Sequence, residues 1–360
     1  MKGPLNEFPI VKTKVPNLDR TFDLNDPKER TEYFEAKVGL EIAKLREFFK
    51  NNTFIAYLLG KKNSGKGTYT KLMAEIFGAD KIAHISVGDL VRETHKIIQE
   101  PAERAKIVEY LEENYRGYIS IDEAIDALLG KNQKALLPTE FILTLVKREI
   151  DRLEKKVIFL DGFPRDLDQV QYSLYFRNLI DYRSDPDIFI AINIPLSVID
   201  ERMRNRVVCP VCQTPRNLTT MPTKEAGYDE KTGQFFLKCD NPSCNGARMV
   251  SKEGDTAGVE SIRERLELDD QLIKKVMSLH GIPKILLRNA VPVASIPGGV
   301  VDAYEVTPKY IFNLEKNTNK VTIKEEPWIV KDDEGQDSYS LLAPSVVVSL
   351  IKQLAQALQL

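Results

Sequence analysis

Apolar residues along the chain follow two different rhythms. In DPKERTEYFEAKVGLEIAKLREFFKN (26–51), Phe34, Val38, Ile42, Leu45 and Phe49 recur at three- and four-residue intervals, the period of one helix face. Asp26 is a capping residue and Pro27 suits a first turn, so a long amphipathic helix is predicted there, lying against the main body. Short runs without polar alternation follow at 53–59, 82–86, 157–160, 187–194 and 292–296, separated by helix-like segments. Strands that are apolar on both faces suit a parallel sheet covered by helices on both sides. The expected fold is therefore α/β, with a parallel five-stranded sheet flanked by helices.

Helical spacing is also predicted at 102–115, 121–130 and 138–153, between the second and third runs. All four cysteines lie between the fourth run and the last. Both stretches read as insertions over the carboxyl edge of the sheet, where open α/β folds bind ligands. Residues 1 to about 25 carry three prolines and little periodicity, which predicts an extended arm. From about 305, KYIFNLEKNTNKVTIKEEPWIVKDDEGQDSYSLL alternates like strands, and PSVVVSLIKQLAQALQL then reads as a terminal helix.

Composition narrows the class. Of the 360 residues, 42% are hydrophobic and 29% charged, the balance of a soluble globular chain. With 51 basic and 53 acidic side chains the net charge is −2, so no global field draws in nucleic acid or a membrane surface. No run approaches a spanning helix, and the N-terminal residues lack the apolar core of a signal peptide. A cytoplasmic monomer is expected. Four cysteines are too few for a disulfide scaffold.

Candidate chemistry begins at IAYLLGKKNSGKGTYTKLMAEIFG (55–78), where an apolar run, a polar loop and an amphipathic segment follow one another. Gly60-x-x-x-x-Gly65-Lys66 is the core of a P-loop. Its backbone N–H groups hold phosphate oxygens, its glycines allow close approach, and the next helix points its positive end at the anion. Gly60, Asn63, Ser64, Gly65, Lys66, Gly67 and Thr68 are the candidate nucleotide-binding residues, with Lys66 bridging the terminal phosphates. The hydroxyl comes one residue later than usual, at Thr68 after Gly67.

This shifted GKGT resembles the loop of adenylate kinases and related nucleoside monophosphate kinases, and the resemblance runs on over roughly 53–300. HISVGDLVRE (84–93) resembles the family segment whose arginine grips the acceptor monophosphate, which implies that role for Arg92 and places Val87 near the acceptor base. FLDGFPRDLDQ (159–169) resembles the family's LLDGFPRTxxQ. It implies that Asp161 orders magnesium-bound water, that Arg165 is the second arginine on the acceptor phosphate, and that Gln169 reads the adenine of AMP. ERMRNRVVC (201–209) and ESIRERLELDDQ (260–271) resemble the segments on either side of the lid. They imply Arg202 against the adenine of ATP, and Arg206 and Arg265 on the transferring phosphoryl group. Phosphoryl transfer asks for charge neutralisation and alignment rather than a nucleophilic side chain, so this Arg/Lys set with one Mg²⁺-ordering carboxylate is a complete catalyst.

Cys209-x2-Cys212 and Cys239-x4-Cys244 form two hooks joined by a turn-rich segment. The pattern matches a structural zinc site of four thiolates with no open position. Its place between Arg206 and Arg265 argues for a lid element over a nucleic-acid-binding ribbon, and zinc-bearing lids occur in this family. Lys62 and Asn63 stand where the family has Pro and Gly. Lys252-Glu253-Gly254-Asp255 stands where it has R-x-D-D, so Lys252 or Arg248 would replace a lid arginine.

The expectation is a P-loop core at 53–304, with an acceptor-binding insertion at 87–140 and a zinc-binding lid at 207–256. An N-terminal arm and helix (1–52) precede it and a C-terminal extension (305–360) follows. The resemblance implies adenylate kinase activity with Mg²⁺ and substrates ATP and AMP. The alternatives are a UMP/CMP kinase, or a weakly active nucleotide-binding regulatory protein of the same fold.

Overall fold

A computed structural model describes residues 8–130, 137–153, 155–164, 186–315 and 320–360. Five apolar segments pair into one sheet: β1 (Ile55–Gly60), β2 (Ile82–Ser86), β3 (Val157–Asp161), β4 (Asp187–Asn193) and β10 (Lys284–Arg288). All pairings are parallel, in the order β10-β4-β1-β3-β2, so β1 is central. Successive side chains on a strand point to opposite faces, and both faces are covered. Ala56 and Leu58 join Phe159, Ile190 and residues of α1 (Pro27–Phe48), α2 (Lys66–Phe77) and the terminal helix α9 (Ala343–Ala357) in one cluster. Tyr57 and Leu59 join Leu160, Phe189 and residues of α6 (Thr139–Arg152) and α8 (Arg263–Met277) in another.

The helix expected over 26–51 is α1, and its start has the expected chemistry. The Asp26 carboxylate accepts from Lys28 N and Glu29 N at 2.9 Å each, with Pro27 in the first turn. The terminal helix also forms as expected. Beyond covering the sheet, it closes its edge: Gln353 Nε2 donates to Leu286 O and Leu286 N donates to Gln353 Oε1, both at 2.9 Å. An edge strand otherwise leaves such backbone groups open to a further strand.

One strand differs from expectation. The fifth strand is 284–288 rather than 292–296, where residues 293–295 form a single 3₁₀ turn. Ile285 and Leu287 supply apolar side chains between charged ends, whereas Pro292 lacks an N–H for a ladder. Residues 290–292 instead form β11, antiparallel to β15 (Asp337–Ser340) in the C-terminal segment.

Above the carboxyl edge, α3 (Val87–Ile97), α4 (Pro101–Asn114) and α5 (Ile121–Leu128) carry a small core of their own. Ile107, Leu111 and Ile125 pack there against Phe141 and Leu145 of α6. On the other side, α7 (Leu196–Arg204) leads into the lid, where β5 (Arg206–Val208), β6 (Pro215–Asn217) and β9 (Val250–Ser251) form one sheet. There β7 (Ala226–Asp229) and β8 (Gln234–Leu237) form a hairpin. The C-terminal segment adds a second hairpin, β12 (Pro308–Glu315) with β13 (Lys320–Pro327), and then β14 (Ile329–Lys331).

Both chain ends are locked to the body. Thr13 Oγ1 donates to Glu305 Oε2 at 2.5 Å, the Tyr33 hydroxyl donates to the same carboxylate, and Lys37 Nζ donates to Asp302 Oδ2 at 2.6 Å. Glu305 is fully buried and Lys37 nearly so. Burying such charges is tolerable only when they are paired and hydrogen-bonded. Ile351 of α9 is fully buried against the sheet. Ile351→Ala is therefore expected to cost about 2–5 kcal/mol, read as a lower urea midpoint for the whole core. An unchanged midpoint would show that the terminal helix is not part of that core.

Candidate active site

The loop between β1 and α2 emerges at the centre of the sheet's carboxyl edge. Gly65 has φ of 101°, left-handed backbone that favours glycine, and a Cβ there would sit 2.9 Å from the Tyr69 ring. A Cβ on Gly60 would meet Ser64 Oγ at 2.7 Å. Asn63 takes φ of 65°, a region asparagine tolerates. The loop is thus tightly wound although two of its residues depart from the family pattern.

Lys66 folds back over the loop, donating to Gly60 O at 2.6 Å and Lys61 O at 3.1 Å, with Asp161 Oδ1 3.8 Å from its Nζ. Burial lowers its pKa from the ordinary lysine value, while the charges of Asp161 and Asp269 oppose that shift. Among the described residues, Asn63 Nδ2 and Ser64 Oγ are buried without a protein partner. Such orphaned donors suit a site for phosphate oxygens.

A cleft of about 1620 Å³ opens over this loop. Asn63, Ser64, Gly65, Lys66, Gly67 and Thr68 line it, as do Asp161, Arg92, Arg202, Arg206 and Arg265. Arg202 Nη1 donates to Asn63 O at 2.9 Å and Arg206 Nη1 donates to Asn63 Oδ1 at 3.1 Å, so two arginines from the lid's base already meet the loop. Arg92 projects from α3 with its side chain 69% exposed, paired among the described residues with Asp89 one turn earlier. Ser86 Oγ caps that helix by accepting from Asp89 N at 3.3 Å, and the Ser86 hydroxyl first, then Arg92, hold the Asp89 carboxyl below its usual range. Val87 is buried in the core beside Ile85 and Phe163. Arg165 and Gln169 lie outside the described residues.

Several residues that the motifs did not single out join this set. Asp255 is buried and accepts from Arg206 Nε at 2.5 Å, with Lys62 Nζ 3.8 Å from its other oxygen. Lys61 is buried against Asp270 at 3.2 Å and Asp333 at 3.6 Å. Asp269 has a buried Oδ2 without a partner among the described residues, and its pKa is raised chiefly by burial, against the pull of Lys66 and Arg265. Arg216 of β6 lines the cleft, whereas Arg248 bonds Asp229 at 2.8 Å and covers the Phe236 ring. An acidic residue beside ESIRER was visible in the sequence for Asp269 and Asp270. Nothing local linked Lys61 to Asp333, which is 272 positions away.

Within the lid, the sulfurs of Cys209, Cys212, Cys239 and Cys244 all lie within 4.8 Å of one another, Cys212 and Cys239 at 3.6 Å. Four thiolates at about 2.3 Å around one ion need this kind of spacing. Hydrogen bonds from Thr214 hold the Cys212 thiol well below its ordinary value, whereas burial pushes Cys244 up. Leu237 and Met249 pack around the cluster, and Phe312 of β12 covers it from outside. The donor set fits a closed, four-coordinate metal site.

Comparisons with known proteins agree with the fold. No family model matches the chain. It is 27% identical over 261 residues to an adenylate kinase of Petrotoga mobilis, covering 72% of this chain and 97% of that protein. An adenylate kinase of Syntrophomonas wolfei is 28% identical over 230 residues, 64% of this chain and 87% of its own. One from Clostridium novyi is 29% identical over 224 residues, 62% and 84% respectively. Fold, phosphate loop and relatives together make the chain a homologue of the adenylate kinases, a phosphotransferase of the nucleoside monophosphate kinase kind.

Proposed function

We propose that the chain is an adenylate kinase, catalysing Mg²⁺-dependent reversible phosphoryl transfer from ATP to AMP to give two ADP. The observation that carries this reading is the single cleft in which Lys66 and the wound loop face Asp161, Arg92, Arg202, Arg206 and Arg265. The acceptor phosphate oxygen is already a competent nucleophile, so catalysis reduces to positioning and charge stabilisation. Loop amides and Lys66 bind the donor phosphates, Lys66 exchanging its two carbonyl partners for phosphate oxygens. Arg92 and Arg165 hold the acceptor phosphate in line, each fork gripping two oxygens. Arg206 and Arg265 offset the charge that develops on the transferring group.

Asp161, whose carboxylate opens to the cleft beside Lys66, would hold Mg²⁺ through water, and Mg²⁺ supplies further neutralisation of the phosphates. Gln169 favours adenine as the acceptor base, because its amide complements the amino and ring-nitrogen edge. Lid closure excludes water that would otherwise hydrolyse ATP.

The four lid cysteines would hold one structural Zn²⁺, which cross-links the long loop. A lid with few apolar residues of its own then draws its local folding free energy from metal binding.

Three measurements test these readings. In a coupled assay with AMP, UMP, CMP and dCMP as acceptors, AMP is expected to be preferred. Equal turnover of a pyrimidine monophosphate would overturn the adenine assignment, and no turnover of any acceptor would favour a regulatory protein. Lys66→Ala should lower kcat by about a hundredfold or more with an unaltered circular dichroism spectrum, and near-normal turnover would sink the phosphate-loop role. Elemental analysis of protein purified without chelators should find one zinc per chain. Cys239→Ser should lose it and admit protease between about 213 and 238 while the parallel-sheet core resists. A zinc-free protein whose lid is equally resistant with and without chelator would reduce the cysteines to ordinary thiols.

A further inference from the structure

Part of the cleft over the phosphate loop is walled by residues that take no part in phosphoryl transfer. That wall comes from the two chain ends: Asp23 and Asn25 of the arm, and Thr307, Tyr310 and Glu325 of the C-terminal segment. Tyr310 and Glu325 are directly opposite each other in the β12–β13 hairpin, so their side chains leave the same face. Phe312, two residues on, shares that face and stacks on Phe235 of the lid, with centroids 5.6 Å apart and planes at 29°. Tyr310 N donates to Thr219 O at 2.7 Å. Thr219 Oγ1 in turn donates to Glu201 Oε1 at 2.5 Å, next to Arg202 in sequence. The hairpin is therefore held against the neck of the lid, on the side of the cleft where Arg202 sits.

Charge is unevenly spread over the cleft wall. The loop and the lid's base supply Lys62, Lys66, Arg206 and Arg265 against Asp161, and the arm and hairpin supply Asp23, Glu325 and Glu326 against Arg30. The Tyr310 phenol and the Glu325 carboxylate belong to residues paired across the hairpin. Burial first, and then that carboxylate, pushes the phenol's pKa up to about 12, so it stays a neutral donor. A nucleoside triphosphate carries matching polarity: anionic oxygens at one end, and ribose hydroxyls and an exocyclic amino group at the other. A carboxylate repels the first and accepts hydrogen bonds from the second.

We infer that Tyr310 and Glu325 of the C-terminal hairpin form the nucleoside end of the donor-nucleotide site. Glu325 accepts from the ribose hydroxyls or the exocyclic amino group, and Tyr310 orients that carboxylate. This rests on the reading of the phosphate loop as the donor site. It gives the C-terminal segment a part in substrate selection, since the hairpin reaches the cleft only because Phe312 and Tyr310 dock it on the lid.

The test is calorimetric titration of the full chain with a non-hydrolysable ATP analogue and with inorganic tripolyphosphate, alongside steady-state kinetics. Glu325→Ala should weaken binding of the ATP analogue about tenfold, the scale of one charge-assisted hydrogen bond. Tyr310→Phe should weaken it less, and KM for AMP should stay within about twofold for both variants. Tripolyphosphate, which has no nucleoside, should bind Glu325→Ala at least as tightly as the wild type. In triphosphate analogues, the wild-type advantage should vanish for the 2′-deoxy form if the ribose is the partner. It should vanish for the purine form lacking the amino group if the base is. Unchanged or tighter ATP-analogue binding by Glu325→Ala would overturn the inference, as would an equal loss for tripolyphosphate. A wild-type chain that binds neither probe would instead bring down the phosphate-loop reading, and this inference with it.

Discussion

A parallel sheet that is apolar on both faces must be covered on both, and much of this protein follows from that requirement. Tyr57 and Leu59 on one face of β1 and Ala56 and Leu58 on the other are all buried, and each face needs its own layer of helices. On one side the layer is α6 and α8, drawn from the middle of the chain. On the other it is α2 together with α1 and α9, drawn from the two ends. The ends of the chain are thus structural members of the central layers. The buried carboxylate of Glu305, shared by Thr13 and Tyr33, holds the arm, the first helix and the C-terminal segment in one place.

Covering the sheet on both faces leaves its carboxyl edge as the open side, and the loop after β1 emerges there at the centre. Its electrostatics are set before any ligand arrives. Lys66 is desolvated and held between backbone carbonyls and Asp161, and Arg202 and Arg206 bond to Asn63 from the lid's base. Groups positioned in advance need little reorganisation when charge moves, which is how such a site gains its effect. Lys61 shows how far the support extends. Its ammonium is buried against Asp270 of α8 and Asp333 of the C-terminal segment. Asp333 also accepts from Leu196 N at 2.7 Å at the start of α7, so one carboxylate ties the loop to the helix that leads into the lid.

The lid is held from two directions. Inside, four sulfurs gather within 4.8 Å. Outside, the β12–β13 hairpin lays Phe312 on Phe235. Further along, Trp328 and Val330 pack with Val198, Met203 and Leu266 beneath the lid's base. Any movement of the lid over the cleft must therefore carry the hairpin along or slide Phe235 across Phe312.

Sequence alone determined the features that depend on near neighbours. The apolar run, glycine-rich loop and amphipathic segment at 55–78 became β1, the loop and α2, because strand, turn and helix propensities act over a few residues. Asp26-Pro27 and the spacing of Phe34, Val38 and Ile42 marked α1 for the same reason, and the paired cysteine hooks foretold a cluster because each hook is local. The fifth strand was misplaced because 284–288 and 292–296 are both short apolar runs; Pro292 counts against the second, and pairing with β4 settles the first. The bond of Lys61 to Asp333, the stacking of Phe312 on Phe235 and the place of Tyr310 and Glu325 in the cleft wall were decided by tertiary structure. Each joins segments whose separation in the chain says nothing about distance, so burial and packing had to bring them together before charge or stacking could act.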